Sequence, residues 1–332
     1  RKLRENDPQN PYIIEIRGGT YKLDESVFFG RFDKNLTVRA ALGERVQFIG
    51  ATSLDESKFR SLEEKNFLSN LVDKSVAKKI KVYDLFEDTK IDLGEHARHA
   101  WGPNLEPPNR IPPPRLYKGN KRQTLARWPN HNESSPFMVY EHYTSEPRAL
   151  RGYERKVQSI LDKISIPGEV TLEKVIDPGD IFKNTKGGRG GTFQVAFDRI
   201  KYWNDVENIW LDGVLSSTWE WTYNRIDSID LENSYITLKY PELSGICQGA
   251  SIRLPHFYFE NIPEELDQNG EYWIDRKNGL IYFYGDGDLS GLKLTTLDSP
   301  MLVLENTSNI SIEELEFSFG RNHGIVVNKS QE

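Results

Sequence analysis

The sequence of 332 residues contains a single cysteine, Cys247, and only two methionines. One cysteine excludes an intrachain disulfide and any metal site built from several cysteines. No apolar run approaches the roughly 20 residues that a membrane-spanning helix needs, so we expect no membrane span. Acidic and basic residues are mixed along the chain, and the formal net charge is −7. Because there is no basic stripe, the sequence does not predict a nucleic-acid partner.

Long helical patterns are also scarce. The 17 prolines and 25 glycines favour an all-β chain with many turns. One stretch, residues 146–163, is an exception, because Leu150, Val157 and Leu161 fall on one side of a predicted helix. We therefore expect an all-β fold with little helix.

What the sequence does contain is a repeat near its end. The stretch LVLENTSN (302–309) aligns with IVVNKSQE (325–332), and near the other end YIIEI (12–16) precedes LTVRA (36–40) by about the same distance. A period of roughly 20 to 25 residues is typical of a solenoid, and β-branched residues with Asn-rich turns indicate β coils. Each strand should then pair in parallel with the strand one coil later. The sequence predicts a right-handed parallel β-helix, with a β-sandwich as the alternative.

The middle of the chain does not keep this period. YWIDRKNGLIYFY (272–284) predicts an antiparallel hairpin around a Lys-Asn-Gly turn, and further antiparallel strands are predicted in NIWLDGVL (208–215), WEWTYNRIDSID (219–230) and SYITLKY (234–240). We therefore divide the chain into three parts: first β-helix coils at 1–52, an inserted, mainly antiparallel β domain at 53–290, and a resumed β-helix at 291–332, beginning with LKLTT (292–296).

Several motifs occur in an order that resembles a known group of proteins: VAKKIKVYDL, PRLYKGNKRQTLARWPN, YWNDVENIWLDG and NIPEELDQNGEYWIDRKNGLIYFY. They resemble bacterial carbohydrate-active enzymes with a right-handed parallel β-helix, which include glycoside hydrolases and polysaccharide lyases. The resemblance spans about Pro11 to Asn328. It implies a polysaccharide or oligosaccharide substrate, a secreted, periplasmic or cell-surface location, and an active groove on the coils after the insertion. The oligomeric state is not predicted.

Glycoside hydrolysis needs two carboxylates, about 5–5.5 Å apart for retention or 6.5–9.5 Å for inversion. The coils offer no stacked acid pair, because Glu305 aligns with Asn328 and Glu15 falls against the apolar segment around Val38. A pair between a coil and the insertion remains open. The first hypothesis is a glycoside hydrolase without a cofactor. The alternatives are a polysaccharide lyase that acts by β-elimination, with Ca²⁺ as its cofactor, and a non-catalytic carbohydrate-binding module.

No catalytic residue is assigned firmly from the sequence. Arg321 and His323 could neutralise a uronate carboxylate and abstract a proton, although a solvated turn is the alternative interpretation. For substrate binding we predict Arg127, Trp128, His99 and Trp101. Arg127 and Trp128 suit a sugar, because an indole stacks on a pyranose and a guanidinium bonds its hydroxyl or acid groups, but the alternation in TLARW also allows Trp128 to pack in the core. No metal site is predicted.

Overall fold

The computed structural model describes residues 10–89, 91–100, 111–130, 168–181, 188–216, 220–247 and 255–330. In these residues strands dominate, as predicted, and the chain is all-β. Helices are limited to α1 (Lys65–Asn70), α2 (Leu85–Asp88) and short 3₁₀ turns at Glu56–Lys58, Lys74–Lys79, Arg199–Tyr202, Val206–Asn208 and Pro263–Glu265. The helix predicted at 146–163 lies outside the described residues.

Nine strands from the two ends of the chain form three parallel sheets of three strands each. With strands numbered in chain order, they are β1 (Tyr12–Ile16), β2 (Gly19–Lys22), β3 (Val27–Phe29), β4 (Lys34–Ala40), β5 (Val46–Ile49), β23 (Leu302–Glu305), β24 (Ser308–Glu313), β25 (Leu315–Ser318) and β26 (Ile325–Asn328). The sheets have the orders β1-β4-β24, β2-β5-β25 and β3-β23-β26.

The register of these sheets confirms the predicted repeat. Leu302 pairs with Ile325, at the same offset as in the sequence alignment, and Glu305 pairs with Asn328. Tyr12 pairs with Leu36 near the other end. The prediction for Glu15 was wrong by one position, because it pairs with Arg39 and forms a 3.1 Å ion pair with it. In these described strands, therefore, an acid lies opposite a base or an amide where the parallel strands pair.

The chain leaves the parallel sheets after β5 and returns at β23. Between these points lies a segment of antiparallel strands, residues 51–295, which we call the antiparallel segment. Its two ends meet, because the Gly50 carbonyl accepts hydrogen bonds from the backbone N–H groups of Thr296 (2.8 Å) and Leu297 (3.0 Å). The predicted return to parallel pairing at 292–296 was early. Those residues form β22 (Leu292–Thr295), which pairs antiparallel with β6 (Ala51–Ser53).

The antiparallel segment contains three further sheets. Their other strands are β7 (Arg60–Ser61), β8 (Ile80–Asp84), β9 (His99–Ala100), β10 (Leu116–Lys118), β11 (Lys121–Arg122), β12 (Thr124–Leu125), β13 (Arg127–Trp128), β14 (Lys174–Asp177), β15 (Thr192–Gln194), β16 (Trp210–Val214), β17 (Trp221–Asp230), β18 (Tyr235–Leu238), β19 (His256–Glu260), β20 (Glu271–Asp275) and β21 (Leu280–Tyr284). The orders are β11-β10-β22-β6, β12-β20-β21-β8-β7 and β13-β19-β16-β17-β18-β15-β14, with β9 beside β17. The predicted strands at 208–215, 219–230, 234–240 and 272–284 are all present and antiparallel, and β12 is the one described strand that pairs parallel in these sheets.

The largest of these sheets, which contains β16, β17 and β19, has one apolar and one polar face. Leu211, Phe257 and Phe259 are fully buried in a core cluster with Ile226. Because successive side chains of a strand point to opposite faces, the alternate residues of β16 and β19 face the other way. Those residues include Asp212 and Tyr258, so the apolar core fixes a polar surface on the opposite side of the sheet.

The hairpin between β20 and β21 offers a test of the fold. Gly279 has φ +70°, and a Cβ there would lie 2.3 Å from the ring of Phe86. We expect Gly279→Ala to lower the free energy of unfolding by about 2–3 kcal/mol, because it combines backbone strain with a ring clash. Urea unfolding measures this loss. Lys277→Ala, in the exposed part of the same turn, should change stability by less than about 0.5 kcal/mol, and equal losses for the two variants would contradict the role assigned to Gly279.

Candidate functional site

On the polar face of the largest sheet, side chains from the neighbouring strands β17, β16 and β19 lie side by side in one row. Asp212 of β16 lies directly opposite Tyr258 of β19 on one side and Tyr223 of β17 on the other. In the next row Glu260 lies opposite both Trp210 and Arg127. Since directly opposed side chains share a face of the sheet, these residues form one group, which we call the carboxyl cluster.

Asp212 is the centre of the first row. Its Oδ2 accepts a hydrogen bond from the Tyr258 hydroxyl at 2.6 Å, and its Oδ1 accepts one from the indole N–H of Trp221. Both donors are neutral groups, and an ionised carboxylate can only accept. The arrangement therefore holds the Asp212 carboxylate in a fixed orientation without neutralising its charge.

Glu260 is the acid of the second row. It accepts a hydrogen bond from the Tyr223 hydroxyl at 2.7 Å. Burial raises the pKa of Glu260 to about 7, and the negative charge of Asp212 adds to this effect. The bond from Tyr223 and the positive charge of Arg127 oppose the increase but do not cancel it. At neutral pH Glu260 is therefore close to half-protonated.

Tyr223 links Glu260 to a histidine. The Tyr223 hydroxyl lies 2.7 Å from Nδ1 of His96, which is buried. Burial is the main reason that the pKa of Tyr223 is well above its usual value of 10, so the residue stays a phenol. A phenol has one proton: when it donates to ionised Glu260, its oxygen can accept the proton on Nδ1 of His96. His96, Tyr223 and Glu260 thus form a continuous hydrogen-bonded path.

Arg127 supplies positive charge to the carboxyl cluster. Its guanidinium carbon lies 3.4 Å from the centre of the Tyr258 ring, and its Nε donates to the Pro129 carbonyl at 2.8 Å. One of its terminal nitrogens donates to the Gly168 carbonyl. Burial lowers the pKa of Arg127 from its usual range, although nearby Tyr258 and Glu260 oppose this change. Arg127 is held rigidly, so its charge acts on the cluster from a fixed position.

Trp221 is a partly solvent-exposed aromatic residue at the edge of the carboxyl cluster. Its side chain is 37% exposed although its indole N–H is bonded to Asp212. The ring of His256 lies edge-on to it at 6.3 Å, and Nε2 of His256 is 3.9 Å from Oε2 of Glu169. Burial raises the pKa of Glu169, and the charges of His256 and Arg127 oppose this. An exposed indole fixed beside a carboxylate is the arrangement that lets a ring stack on the apolar face of a sugar.

The four predicted binding residues are placed differently. Arg127 lies in the carboxyl cluster, whereas Trp128 packs on the opposite, apolar face against Phe197, with ring centres 4.4 Å apart. The backbone of His99 pairs with Tyr223 in strand β9. Trp101 lies outside the described residues. Substrate binding by these four residues stays a prediction.

The two candidate catalytic residues near the chain end do not come together. Arg321 is buried, and its Nε donates to the carbonyl of Pro112. Burial lowers the pKa of Arg321 to about 10. His323 is exposed, with Nδ1 2.6 Å from the side-chain oxygen of its neighbour Asn322. Their proposed roles stay predictions, and the structure gives the two side chains separate surroundings.

The sequence analysis missed the carboxyl cluster itself. Asp212 lies in the middle of the strand WLDGV, and Glu260 ends the aromatic-rich strand HFYFE. That pattern was a usable signal, because an acid on a strand with large aromatic neighbours is rarely left without a partner. It could not show that the two acids lie on adjacent strands.

A cleft with a volume of about 680 Å³ lies beside the carboxyl cluster. Gly168, whose carbonyl binds Arg127, is part of its wall, and so is Asn130, the neighbour of Pro129. The wall is mostly polar and contains Lys118, Lys121, Arg122, Gln123, Thr124, Asn130, Gly168, Gln268, Asn269, Gly270, Glu271, Phe283 and Gly285. Among the described residues no three His, Cys, Asp or Glu side chains are grouped as metal ligands would be.

Comparison with known proteins finds a similar fold but no matching family. No family model matches the chain, and no curated protein sequence matches it. A solved structure described as a glycoside hydrolase superposes with a TM-score of 0.55 at 15% sequence identity. The match covers 96% of this chain and 45% of the other, so the chain spans less than half the length of that protein. In the part of the chain that the structure describes, no helix is long and apolar enough to cross a membrane.

Proposed function

We propose that the chain belongs to a carbohydrate-active enzyme that hydrolyses glycosidic bonds of a polysaccharide outside the cell or in the periplasm. The observation that carries this proposal is the pair Asp212 and Glu260, held on adjacent strands with the pKa of Glu260 raised to about 7. The fold shared with a solved glycoside hydrolase supports it.

In this proposal the three parallel sheets are the three faces of a right-handed parallel β-helix, and each coil contributes one strand to each face. Three sheets of three strands, each paired at the offset of the sequence repeat where the chain is continuous, are what three stacked coils would give. Residues 1–52 and 291–332 then contribute the coils, and 53–290 form the inserted domain. The strand pairing favours a slightly later return, at Leu302.

Glu260 and Asp212 divide the two roles of a hydrolase. Protonated Glu260 gives its proton to the oxygen of the leaving sugar, and the Asp212 carboxylate takes a proton from the attacking water. The residues are diagonal neighbours on paired strands, which places their backbones about 7–8 Å apart. We propose inversion at the anomeric carbon, which requires the two carboxyl groups to lie about 6.5–9.5 Å apart with a water molecule between sugar and base.

The surrounding residues support these roles. After each turnover Tyr223 can pass its proton to Glu260 and take the Nδ1 proton of His96, which in turn takes up a proton at Nε2. Trp221 provides a stacking surface next to Asp212. The fixed charge of Arg127 opposes the increase in the pKa of Glu260, which keeps that pKa near 7 rather than higher.

A lyase is the less favoured alternative. β-Elimination needs a base beside the sugar, and burial holds the pKa values of Tyr223 and Tyr258 well above 10. Neither phenol is therefore readily deprotonated at neutral pH. A calcium requirement belongs to this alternative. A non-catalytic binding module is the third possibility, because the exposed indole of Trp221 would stack on a sugar whether or not the sugar is cut.

A single assay separates the three functions. The purified chain is incubated with a panel of neutral and acidic polysaccharides, with and without EDTA, and we expect new reducing ends without absorbance near 235 nm. Absorbance at 235 nm that EDTA abolishes would instead support a calcium-dependent lyase. Retention of the chain on a polysaccharide column without either product would support the binding module.

A further inference from the structure

The cleft of about 680 Å³ has more cationic than anionic side chains. Lys118, Lys121 and Arg122 come from the β10–β11 hairpin, and Glu271 is the one acid among the described residues that line it. Lys118 is engaged by Asp288, with an ion pair of 3.1 Å and a 2.6 Å bond to the Asp288 carbonyl. Lys121 and Arg122 are exposed at the rim, where they can meet an anionic group that enters from solvent.

Glu271 is an unusual acid, because its side chain is buried with only 1% exposed. Its Oε2 accepts backbone N–H bonds from Asp267 (3.1 Å) and Gln268 (3.0 Å). Burial raises the pKa of Glu271 to about 8, and the negative charge of Asp267 adds to this. At neutral pH Glu271 is therefore mainly a neutral acid that can donate one hydrogen bond.

The remaining wall is built from groups that suit sugar hydroxyls. Among the residues that line the cleft are Gln123, Thr124, Asn130 and Asn269. Asn130 is fixed by a 2.8 Å bond to Asp267, and Gln123 by a 2.9 Å bond to the Lys121 carbonyl. Amides both donate and accept, as a sugar hydroxyl does, so they can satisfy it in either direction.

We propose that this cleft binds an acidic segment of a saccharide chain, with its carboxylate or sulfate at Lys121 and Arg122 and its hydroxyls at Thr124, Asn130 and Asn269. The proposal rests on the proposed function only in taking a saccharide as the ligand. Because Gly168 lines the cleft and also binds Arg127, the bound segment would lie directly beside the carboxyl cluster. The substrate class is thus an acidic polysaccharide, cut next to the segment that the cleft holds.

Calorimetry with the full chain at pH 7 tests this. The probes are three oligosaccharides of equal length that carry carboxylates, sulfates or no charge, together with inorganic sulfate. We expect one of the charged oligosaccharides to bind at least tenfold more tightly than the neutral one, and Arg122→Gln to weaken that binding about five- to tenfold, about 1–1.4 kcal/mol. Lys277→Gln, which removes the same charge at the far end of β20, should leave it unchanged.

The pH dependence gives a second readout. Asp267 is the other acid beside Glu271, and its negative charge adds to the raised pKa of Glu271. Because Glu271 becomes negative above about pH 8, affinity for the charged oligosaccharide should fall several-fold between pH 7 and pH 9. Glu271→Gln, which stays neutral, should remove most of this fall.

The results also distinguish this proposal from the proposed function. Equal affinity for neutral and charged oligosaccharides, or binding of inorganic sulfate alone, would overturn the acidic-saccharide site even if the chain hydrolyses polysaccharides. Selective binding that depends on Arg122, without any hydrolysis, would support the site and count against the hydrolase. If Lys277→Gln weakens binding of the charged oligosaccharide as much as Arg122→Gln does, the binding depends on the net charge of the protein and not on this cleft. That result would overturn the acidic-saccharide site.

Discussion

Replacing Glu260 by glutamine is expected to lower kcat by two to four orders of magnitude, the usual contribution of a general acid. Glutamine keeps the size of Glu260 and can still accept the 2.7 Å bond from Tyr223, but it cannot release a proton to a leaving sugar. Steady-state kinetics on the best substrate of the polysaccharide panel measures the loss. The wild-type activity should also fall as pH rises above about 7, because the pKa of Glu260 is raised to that value and its acid form is lost there.

A matched variant controls for general damage to the sheet. Glu242 is also a buried carboxyl with a raised pKa, and it accepts a 3.0 Å bond from Thr222, whose side chain lies on the face opposite the carboxyl cluster. Glu242→Gln should therefore leave kcat within a few-fold of the wild type. If Glu260→Gln keeps most of the activity while Asp212→Asn also has little effect, the acid and base lie elsewhere in the protein.

The largest loss of stability is expected at Glu265, which is fully buried. Its carboxylate binds Arg199 through two oxygens, at 2.9 Å from Nε and 2.7 Å from a terminal nitrogen, and it also accepts the indole N–H of Trp203 at 2.7 Å. Glu265→Leu leaves the indole N–H of Trp203 without its acceptor and leaves Arg199 with only a 3.5 Å contact to Asp267. We expect a loss of about 3 kcal/mol, at the low end for a broken buried ion pair, because the Arg199 side chain is 29% exposed and can partly rehydrate.

Urea unfolding followed by tryptophan fluorescence measures this loss. Asp177 provides the comparison, since it pairs with Arg189 at the surface and both side chains are at least one-third exposed. Asp177→Asn should cost less than about 1 kcal/mol, as exposed ion pairs usually do. If the two variants lose a similar free energy of unfolding, burial of the Glu265–Arg199 ion pair does not increase its contribution to stability.

The sequence carried enough local information to predict the strands but not all of their neighbours. The repeat that aligns Leu302 with Ile325 and the turn at Gly279 depend on residues that are close along the chain, and both were predicted correctly. The residues at 292–296 predict a strand, but they do not tell parallel from antiparallel pairing. Its antiparallel partner, β6, lies at the opposite end of the antiparallel segment, so its true pairing could not be read from its own residues.

The candidate site was hidden for the same reason. Asp212 and Glu260 are far apart in the sequence, and only the pairing of β16 with β19 brings them to one face. Neighbouring residues of a strand point to opposite faces, so one of Arg127 and Trp128 lies on the polar face of the sheet and the other on its apolar face. The sequence singled out both, but the register puts Arg127 in the carboxyl cluster and Trp128 against Phe197.

The meeting of the two ends of the antiparallel segment has a consequence for how the chain folds. Asn35 and Asn309 are hydrogen-bonded at 2.9 Å although they are 274 residues apart in the sequence. Contacts between residues so far apart along the chain ordinarily slow folding. Once β6 and β22 pair, Gly50 and Leu297 are adjacent, and the effective loop between β5 and β23 is only a few residues long. The loss of chain entropy on closing the long loop then occurs when the antiparallel segment folds, and not when the parallel strands pair. We therefore expect this segment to fold first and to nucleate the stacking of the parallel strands at both of its ends.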